Sequence, residues 1–565
     1  MPSRTRSARN RPARPRSDRA RSTWTRLTRT GLGRASARRV RVAAVASLAA
    51  SALVLTAGCT SSADDRTALV TRQQEARVTV VGAADAPERA VQASRALFTS
   101  SPVAVVAPDG DLQAQAEASD EARRLRVPML LAPAPAAGSS GGSASPAPSA
   151  TGSTTDSAEA DPTADATVDE TADGSSPELA AELDRLGVDT VLTVGDVGAL
   201  DATGVEVVTG ASSVDVPEAG SARSDVLAVV AGGDDVAATA TARAAGAEVE
   251  ALPDGVVDLQ ASGEAIDALH ASTTTATVLI GASFASVPDP DWSVEAARSG
   301  EQLPGGGQRF FPDRRFVALY GAPGTGALGV LGEQDVAATV QRADAVAASY
   351  DAVSDRPVVP LLEIIATVAA GAAGADGDYS NELSAESIAP YVDAAAAAGQ
   401  YVVIDLQPGR ADFLSQAKRY ESLLSRPNVG LALDPEWRLE ADQVPLRQIG
   451  GVEASEVNAV SSWLADLVAS KGLPPKMFVL HQFRLDMLRD RSSIDTSHPE
   501  LETLIHVDGQ GSQPDKQATW RTLHDGAPAG VAWGWKNFYD EDAPMLSPEQ
   551  TMADVSPTPD LVTYQ

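Results

Sequence analysis

Residues 315–565 alternate apolar runs with amphipathic stretches, and this succession limits the fold more than any other feature of the chain. The apolar runs are candidate strands at Phe316–Tyr320, Val358–Ile365, Tyr401–Leu406, Val429–Leu433, Met477–Leu480, Leu504–Val507 and Val531–Trp535. The intervening stretches are candidate helices at Asp335–Ser349, Ala385–Ala398, Asp412–Leu424, Ser455–Ser470 and Lys516–Leu523. Seven such units in about 250 residues predict a (β/α)₈ barrel with one strand not identified. A doubly wound open sheet is the alternative.

The fourth apolar run ends abruptly in acidic side chains. Val429–Leu433 is followed by Asp434, Glu436 and Trp437. A continuous apolar run is typical of a parallel strand that is covered on both faces, and (β/α) barrels keep their active sites at the carboxyl ends of their strands. Asp434 and Glu436 are two positions apart, so strand geometry would project both side chains to the same side, roughly 7 Å apart.

Polar or aromatic side chains also lie at or near the ends of most other predicted strands. They are Glu363, Asp405, Gln407, His481, Gln482, Asp508, Gln510, Trp533 and Trp535. Because the carboxyl ends of parallel strands meet at one end of a barrel, we predict that these nine residues bind a substrate there. The loop Gly321–Gly326 is glycine-rich, but no Lys-Ser/Thr pair follows it, so it predicts a tight turn rather than a phosphate site.

Paired carboxylates flanked by aromatic residues favour glycoside hydrolysis, in which one acid protonates the leaving oxygen and a second carboxylate stabilises or attacks the anomeric carbon. Tryptophan faces can stack on the sugar rings. The fourth strand partly resembles the chitinase-type (family 18) signature Asp-Gly-x-Asp-x-Asp-x-Glu. The last two acids of that signature match Asp434 and Glu436, whereas Val429 and Ala432 replace the first two. The resemblance implies that Glu436 is the general acid and Asp434 its partner.

Two other functions fit the same residues. Carboxylates and one imidazole are suitable ligands for a divalent cation, so a metal-dependent hydrolase could use Asp405, Asp434, Glu436, His481 and Asp508. Alternatively, the barrel only binds a glycan without turning it over. For the glycosidase we expect no cofactor and no bound metal.

Residues 77–285 also alternate strands and helices and predict a second, parallel α/β region. Residues 133–176 interrupt it with Ala, Ser, Gly, Pro, Thr and acidic residues, a composition that predicts a disordered insertion. Residues 286–314 are rich in Pro and Gly and predict a linker or a domain edge before the barrel at 315–565.

Three stretches of this α/β region resemble the cell wall-binding repeat type 2. They are Gly82-Ala83-Ala84-Asp85 leading to Glu88-Arg89-Ala90-Val91, then Pro128-Met129-Leu130-Leu131, then Leu186 to Gly195. The resemblance covers residues 78 to about 210, with a looser second copy at 224–290. In that family an α/β module attaches surface proteins noncovalently to anionic wall polymers, so the resemblance implies a cell-wall polysaccharide as partner.

The N-terminal segment predicts export and lipid anchoring. The apolar stretch Val42–Leu55 follows an Arg-rich segment and has the length of a signal-peptide core. It leads into Leu55-Thr56-Ala57-Gly58-Cys59, which resembles a bacterial lipobox, and Cys59 is the only cysteine of the chain. We therefore predict a signal peptide over 1–58, lipidation at Cys59, a tether over 59–76 and a location on the outer face of the cell membrane.

The charge of the chain argues against nucleic acid as a partner. The formal net charge is −31, and residues 1–41 hold fourteen Arg and one Asp, so the chain without them carries about −44. A surface of that sign repels phosphate backbones.

Overall fold

The computed structural model describes residues 68–133, 176–200, 204–210, 214, 216, 225–232 and 235–565. The predicted signal peptide 1–58, the lipidation site Cys59 and all but the ends of the predicted insertion 133–176 lie outside these residues. None of the helices in the described ranges combines the length and the apolar character that crossing a lipid bilayer requires.

Two four-stranded parallel sheets form the N-terminal region, as the α/β prediction requires. In spatial order the first sheet contains Met129–Ala132, Val103–Pro108, Thr190–Thr193 and Glu206–Thr209. In spatial order the second sheet contains Val78–Val81, Ala276–Ile280, Val226–Val230 and Glu248–Ala251. A short antiparallel pair joins Val70–Thr71 to Phe98–Ser100, so the end of the predicted tether is part of the fold.

Val78–Val81 belongs to the second sheet, although it opens the stretch that resembles the first repeat. It pairs in parallel with Ala276–Ile280, about 200 residues later. The local sequence predicts that a strand forms, but the strand's partner depends on long-range packing. The second sheet therefore combines a strand from the start of the region with three strands from its end, so the two sheets are not built from two consecutive segments.

Helices cover both sheets, and most begin at an Asp or Ser whose side chain accepts a backbone N–H bond. The N-terminal helices are Ala86–Leu97, Leu112–Leu125, Pro177–Leu186, Val236–Ala244, Gly263–Ala271 and Pro290–Arg298. Asp85, for example, accepts a bond from the Glu88 N–H at 2.9 Å. Within Val236–Ala244, the Thr241 hydroxyl exchanges 3.0 Å hydrogen bonds with the backbone of Met129 and so ties this helix to the first sheet.

Eight parallel strands close into a barrel, and the prediction of a (β/α)₈ fold is confirmed. In order they are Arg315–Gly321, Val358–Ala369, Tyr401–Leu406, Val429–Leu433, Lys476–His481, Leu501–Val507, Ala532–Asn537 and Leu561–Tyr564. The first strand pairs with both the second and the eighth, which closes the ring. The strand missing from the sequence prediction is the eighth, a four-residue segment at the C-terminal end of the sequence.

Helices surround the barrel at Val336–Ala348, Ala385–Ala397, Phe413–Arg419, Glu421–Leu424, Ala454–Lys471, Gln513–His524 and Pro548–Asp554. Asp412 caps the third of these, as predicted, by accepting the Ser415 N–H at 2.8 Å. The predicted helix Asp412–Leu424 is two helices that meet at Tyr420. Tyr420 is fully buried, and its hydroxyl donates to the Ala366 carbonyl of the second strand at 2.8 Å, which anchors the junction.

Alternate residues of each strand point into the barrel, and the inward row changes character along the axis. Near the amino ends of the strands it is apolar, with Phe316, Leu361, Tyr401, Met477 and Leu504 in one cluster. Near the carboxyl ends it is polar and ionisable. The other set of alternate residues packs outward against the helices.

Residues 286–314, predicted as a linker or a domain edge, are folded. They contain the helix Pro290–Arg298. Phe310 is fully buried against the apolar residues inside the barrel near the amino ends of the strands. The buried carboxylate of Glu502 accepts the N–H groups of Phe310 and Phe311 at 3.1 and 2.9 Å. This segment therefore packs against the amino ends of the barrel strands, opposite the predicted site.

Candidate active site

A cavity of about 670 Å³ opens at the carboxyl ends of the barrel strands. Five of the predicted site residues line it, namely Gln407, Asp434, Glu436, Asp508 and Gln510. Further lining comes from Tyr320, Trp437, Phe483, Lys536 and Phe538. Its size suits a small ligand or a few sugar units, since ligand pockets commonly measure about 300–1,000 Å³.

Asp434 and Glu436 are fixed at this cavity by the backbone around them. The Asp434 N–H donates to the Leu406 carbonyl of the third strand at 3.1 Å, so Asp434 still lies in line with the sheet. Residues 435–437 then form one 3₁₀ turn. The Gly450 N–H donates to the Glu436 carbonyl at 2.7 Å, and a Cβ on Gly450 would stand 2.7 Å from that same oxygen. Only glycine allows this close approach, which sets the orientation of the turn.

Both carboxyl groups hold their protons more tightly than usual. Burial, and next the negative charge of Asp508, raise the pKa of Glu436 to about 7. Burial, and next the charge of Glu436, raise the pKa of Asp434 well above its ordinary value. The Oδ1 atom of Asp434 is buried and has no hydrogen-bond partner among the described residues.

His481 joins two carboxylates under the cavity floor. Its Nε2 lies 2.7 Å from Glu363 Oε1, and its Nδ1 lies 2.9 Å from Asp508 Oδ2. Glu363 and His481 are fully buried. The fifth strand places His481 on the inward row, between Glu363 on the second strand and Asp508 just after the sixth.

These contacts determine the charges of the three groups. Burial opposes the charge of His481, but Glu363 and Asp508 outweigh it and raise the pKa of His481 well above its ordinary value. Burial is the largest single influence and would raise the pKa of Glu363, but the surrounding positive charges, that of His481 first, and the hydrogen bond from His481 together outweigh it and lower the pKa to about 2. Burial would likewise raise the pKa of Asp508, but the hydrogen bond from His481 and the nearby positive charges, that of His481 first, together outweigh burial and lower that pKa. At neutral pH the arrangement is carboxylate–imidazolium–carboxylate.

A second group of polar side chains surrounds Asp405. The Tyr320 hydroxyl donates to Asp405 Oδ2 at 2.8 Å, and the Gln407 amide donates to the Tyr320 oxygen at 3.3 Å. The ammonium of Lys536 lies 3.5 Å from the centre of the Tyr320 ring, a cation–π contact. Burial is the main cause that raises the pKa of Asp405 to about 6.

Three of the predicted site residues are directed away from the cavity. Trp533 and Trp535 belong to the outward row of the seventh strand, where both rings pack against Trp520 of a surrounding helix. Gln482 is buried, and its side chain accepts a hydrogen bond from Arg491 Nη1 at 3.0 Å. The physical reason is the period of two along a strand: Lys536 and His481 face inward, so the residues next to them face outward.

Three residues of the polar interior were missing from the sequence prediction. Tyr320 is the next-to-last residue of the first strand and was counted as part of its apolar run, and Lys536 lies one residue beyond the predicted end of the seventh. His506 lies inside the sixth strand, on the inward row two residues before Asp508. The signal was available in the seventh strand, where small Ala532 and Gly534 alternate with tryptophan. The small residues mark the crowded inner row, which Lys536 continues.

Glu363, His481 and His506 also come together in a way that suits a metal ion. Each offers one ligand atom, and these atoms lie within 4.8 Å of one another. This set differs from the five residues that the sequence suggests for a cation site, with only His481 in common.

Comparisons with known proteins leave the family of this chain open. No family model matches it, and no curated protein matches it. Among solved structures it is similar to a chain described as Cwp6 from Clostridium difficile, at 12% sequence identity and a TM-score of 0.29. The match covers 60% of this chain and 66% of that chain. A likeness at this level carries no conclusion about fold or function, so both rest on the geometry described above.

Proposed function

We propose that the barrel is a glycoside hydrolase of the bacterial cell envelope, with Glu436 as general acid and Asp434 as its partner. One geometric observation carries the proposal. Glu436 and Asp434 lie in the wall of one cavity at the carboxyl ends of the barrel strands, and the carboxylate of Asp508 lines the same cavity. Two or three carboxyl groups around one cavity are the groups that glycosidic bond cleavage needs.

The protonation states of Glu436 and Asp508 support this chemistry. Glu436, with its pKa raised to about 7, keeps its proton in about half of the molecules at neutral pH and in most of them below it, and it can donate this proton to the leaving oxygen as the C–O bond breaks. Asp508 accepts a hydrogen bond from His481 and remains ionised, so it can stabilise or attack the positively charged anomeric carbon. Water then supplies a hydroxyl group to that carbon and returns a proton to Glu436. Two acids held in opposite protonation states by their surroundings are typical of such sites.

The other cavity residues supply recognition. Trp437 and Phe483 offer apolar faces on which a sugar ring can stack, while Gln510 and Lys536 offer hydrogen-bond donors. Several carboxyl groups share the cavity, and the whole chain is strongly acidic. Both features favour an uncharged glycan over a polyanionic one.

The cell-envelope location is part of the proposal and rests on the N-terminal sequence. Lipidation at Cys59 would hold the protein on the outer face of the membrane, next to wall polysaccharide. The α/β region that resembles the cell wall-binding repeat would then add contacts to that polysaccharide. Neither nucleic acid nor a cofactor has a role in this function.

The test compares Glu436→Gln with the wild type on a panel of wall and capsular glycans. We expect bound glycan to be retained and turnover to fall by about 10² to 10⁴, the usual contribution of a general acid. Asp412→Asn serves as the control, because Asn caps a helix as well as Asp does and Asp412 lies on a helix outside the barrel. Wild-type turnover by Glu436→Gln would refute the assignment, and binding without turnover by both proteins would indicate a glycan-binding barrel.

A further inference from the structure

We propose that Glu363, His481 and His506 form a binding site for one divalent transition-metal ion of the zinc class, directly beneath the cavity. The three side chains come from the second, fifth and sixth barrel strands and are fully buried. The site is distinct from Asp434 and Glu436, and it does not depend on the proposed glycosidase activity.

The distances between the ligand atoms are close to those of a metal site. His481 Nε2 lies 2.7 Å from Glu363 Oε1, and His506 Nδ1 lies 3.8 Å from Glu363 Oε2. Ligand atoms about 2.0–2.2 Å from a tetrahedral ion are separated by about 3.3 Å from each other. Side-chain movements of a few tenths of an ångström to about 1 Å would therefore bring the two imidazoles and the carboxylate around one ion, which would replace the proton on His481 Nε2.

His506 gives the second, independent indication. Both of its ring nitrogens are buried, and neither has a hydrogen-bond partner within the described chain. A buried imidazole with no partner loses the hydrogen bonds that it makes in water, so such groups are rare in folded proteins. Gly534 makes room for this ring, since a Cβ there would stand 2.6 Å from His506 Cδ2. A metal ion bound to one ring nitrogen of His506 would give that nitrogen the partner that it lacks.

A fourth ligand atom and a supporting contact complete the arrangement. Asp405 Oδ1 is buried and lacks a hydrogen-bond partner among the described residues, and it lies 4.0 Å from His481 Nε2. Asp508 holds the other nitrogen of His481 at 2.9 Å. Carboxylates commonly hold metal-bound histidines in this way, because the contact fixes the orientation of the ring.

The ligand types select the class of ion. Two imidazoles with one or two carboxylate oxygens suit Zn²⁺ and its neighbours in the first transition row. Ca²⁺ takes six to eight oxygen ligands, and Mg²⁺ keeps several waters, so neither fits a fully buried site with two nitrogen ligands. Asp508, which contacts His481, also lines the cavity above this site.

The experiment measures binding of Zn²⁺ to the untagged protein after removal of bound metal with a chelator. Titration with ZnCl₂, followed by calorimetry and elemental analysis, should give one ion per chain, whereas CaCl₂ and MgCl₂ should give none at this site. His506→Leu should lower the Zn²⁺ affinity by more than 100-fold. His498→Ala removes a partly exposed histidine of the same barrel and should leave the affinity unchanged.

His506→Leu should fold, because His506 makes no hydrogen bond within the described residues that leucine would lose. Should it fail to fold, Asp508→Asn replaces it and should weaken binding by about 10- to 100-fold, the usual effect of a lost supporting contact. The inference is overturned if the wild type binds no stoichiometric Zn²⁺, or if neither folded variant weakens the binding. Glycan turnover is not a readout here, so this failure is distinguishable from failure of the proposed function.

Discussion

The raised pKa of Glu436 can be tested without a substrate, through the pH dependence of stability. Its pKa is raised from an ordinary 4.5 to about 7 in the folded protein. Between these two values the folded state binds more protons than the unfolded state, so the free energy of unfolding falls as pH rises. The ionised Glu436 therefore destabilises the fold fully above about pH 7 and hardly at all below about pH 4.5.

The magnitude follows from the size of the pKa change. A rise of about 2.5 in pKa corresponds to about 3 kcal/mol, since one pKa unit is about 1.36 kcal/mol. About 2.5 kcal/mol of this develops between pH 5 and pH 8. Glu436→Gln removes the ionisable group, so relative to the wild type it should gain about 2.5 kcal/mol of stability over that pH range.

The assay is chemical denaturation at pH 5 and pH 8 in chelator-containing buffer, followed by tryptophan fluorescence. Five of the seven tryptophans come after residue 430, so the signal reports on the barrel. Glu440→Gln is the matched control, because Glu440 lies in the same loop but is exposed to solvent. Equal pH dependence for Glu436→Gln and the wild type would refute the raised pKa and remove the support for a general acid.

Three further outcomes follow from the site and the fold. With any glycan substrate, kcat/KM should fall about tenfold per pH unit above about pH 7 as Glu436 loses its proton, and a rate that stays constant to pH 9 would contradict its role. Cys59→Ala should release the protein from membranes into the soluble fraction, and unchanged retention in fractionation would contradict lipid anchoring. Asp542→Asn should lower the free energy of unfolding by about 3–5 kcal/mol, because the buried ammonium of Lys516 loses its carboxylate partner, whereas Asp540→Asn at the surface should change it little.

The barrel strands could be predicted from the sequence because each is a short apolar run followed by a polar residue. Val429–Leu433 has the same bounds in the prediction and in the structure. Leu561–Tyr564 was missed because the strand is only four residues long and mixes apolar with polar residues. Its sequence pattern is therefore indistinguishable from that of a loop. The partner of Val78–Val81 could not be predicted for a different reason. Strand pairing over about 200 residues depends on packing between helices and sheets, which local periodicity does not record.

The sequence predicts at which end of the barrel the candidate site lies, because the predicted strand ends mark that end. Glu436, Asp434 and Asp508 were assigned to this end of the barrel because polar residues that directly follow buried apolar runs lie at the carboxyl ends of the strands, and their roles stay predictions. The error at Trp533 and Trp535 came from counting residue types without counting the alternation along the strand. A shift of one residue along a strand changes whether the side chain faces into or out of the barrel. Residue type near a strand end is therefore informative only when the position is known to face inward or outward.

The barrel interior has a lower, apolar half near the amino ends of the strands and an upper, polar half near their carboxyl ends. The lower half mainly stabilises the fold, and the upper half contains the candidate site. In the lower half Phe310 and Phe316 each pack edge to face against Tyr401, with ring centroids 5.0 Å apart for Phe310 and Tyr401. Burial of each such ring contributes about 1.5–3 kcal/mol. In the upper half Glu436 is held in a state that costs stability at neutral pH, which a protein tolerates only where function requires it. Replacing Glu436 with an apolar residue should therefore raise the free energy of unfolding at neutral pH and abolish turnover, whereas Phe316→Ala or Tyr401→Ala should lower the free energy of unfolding.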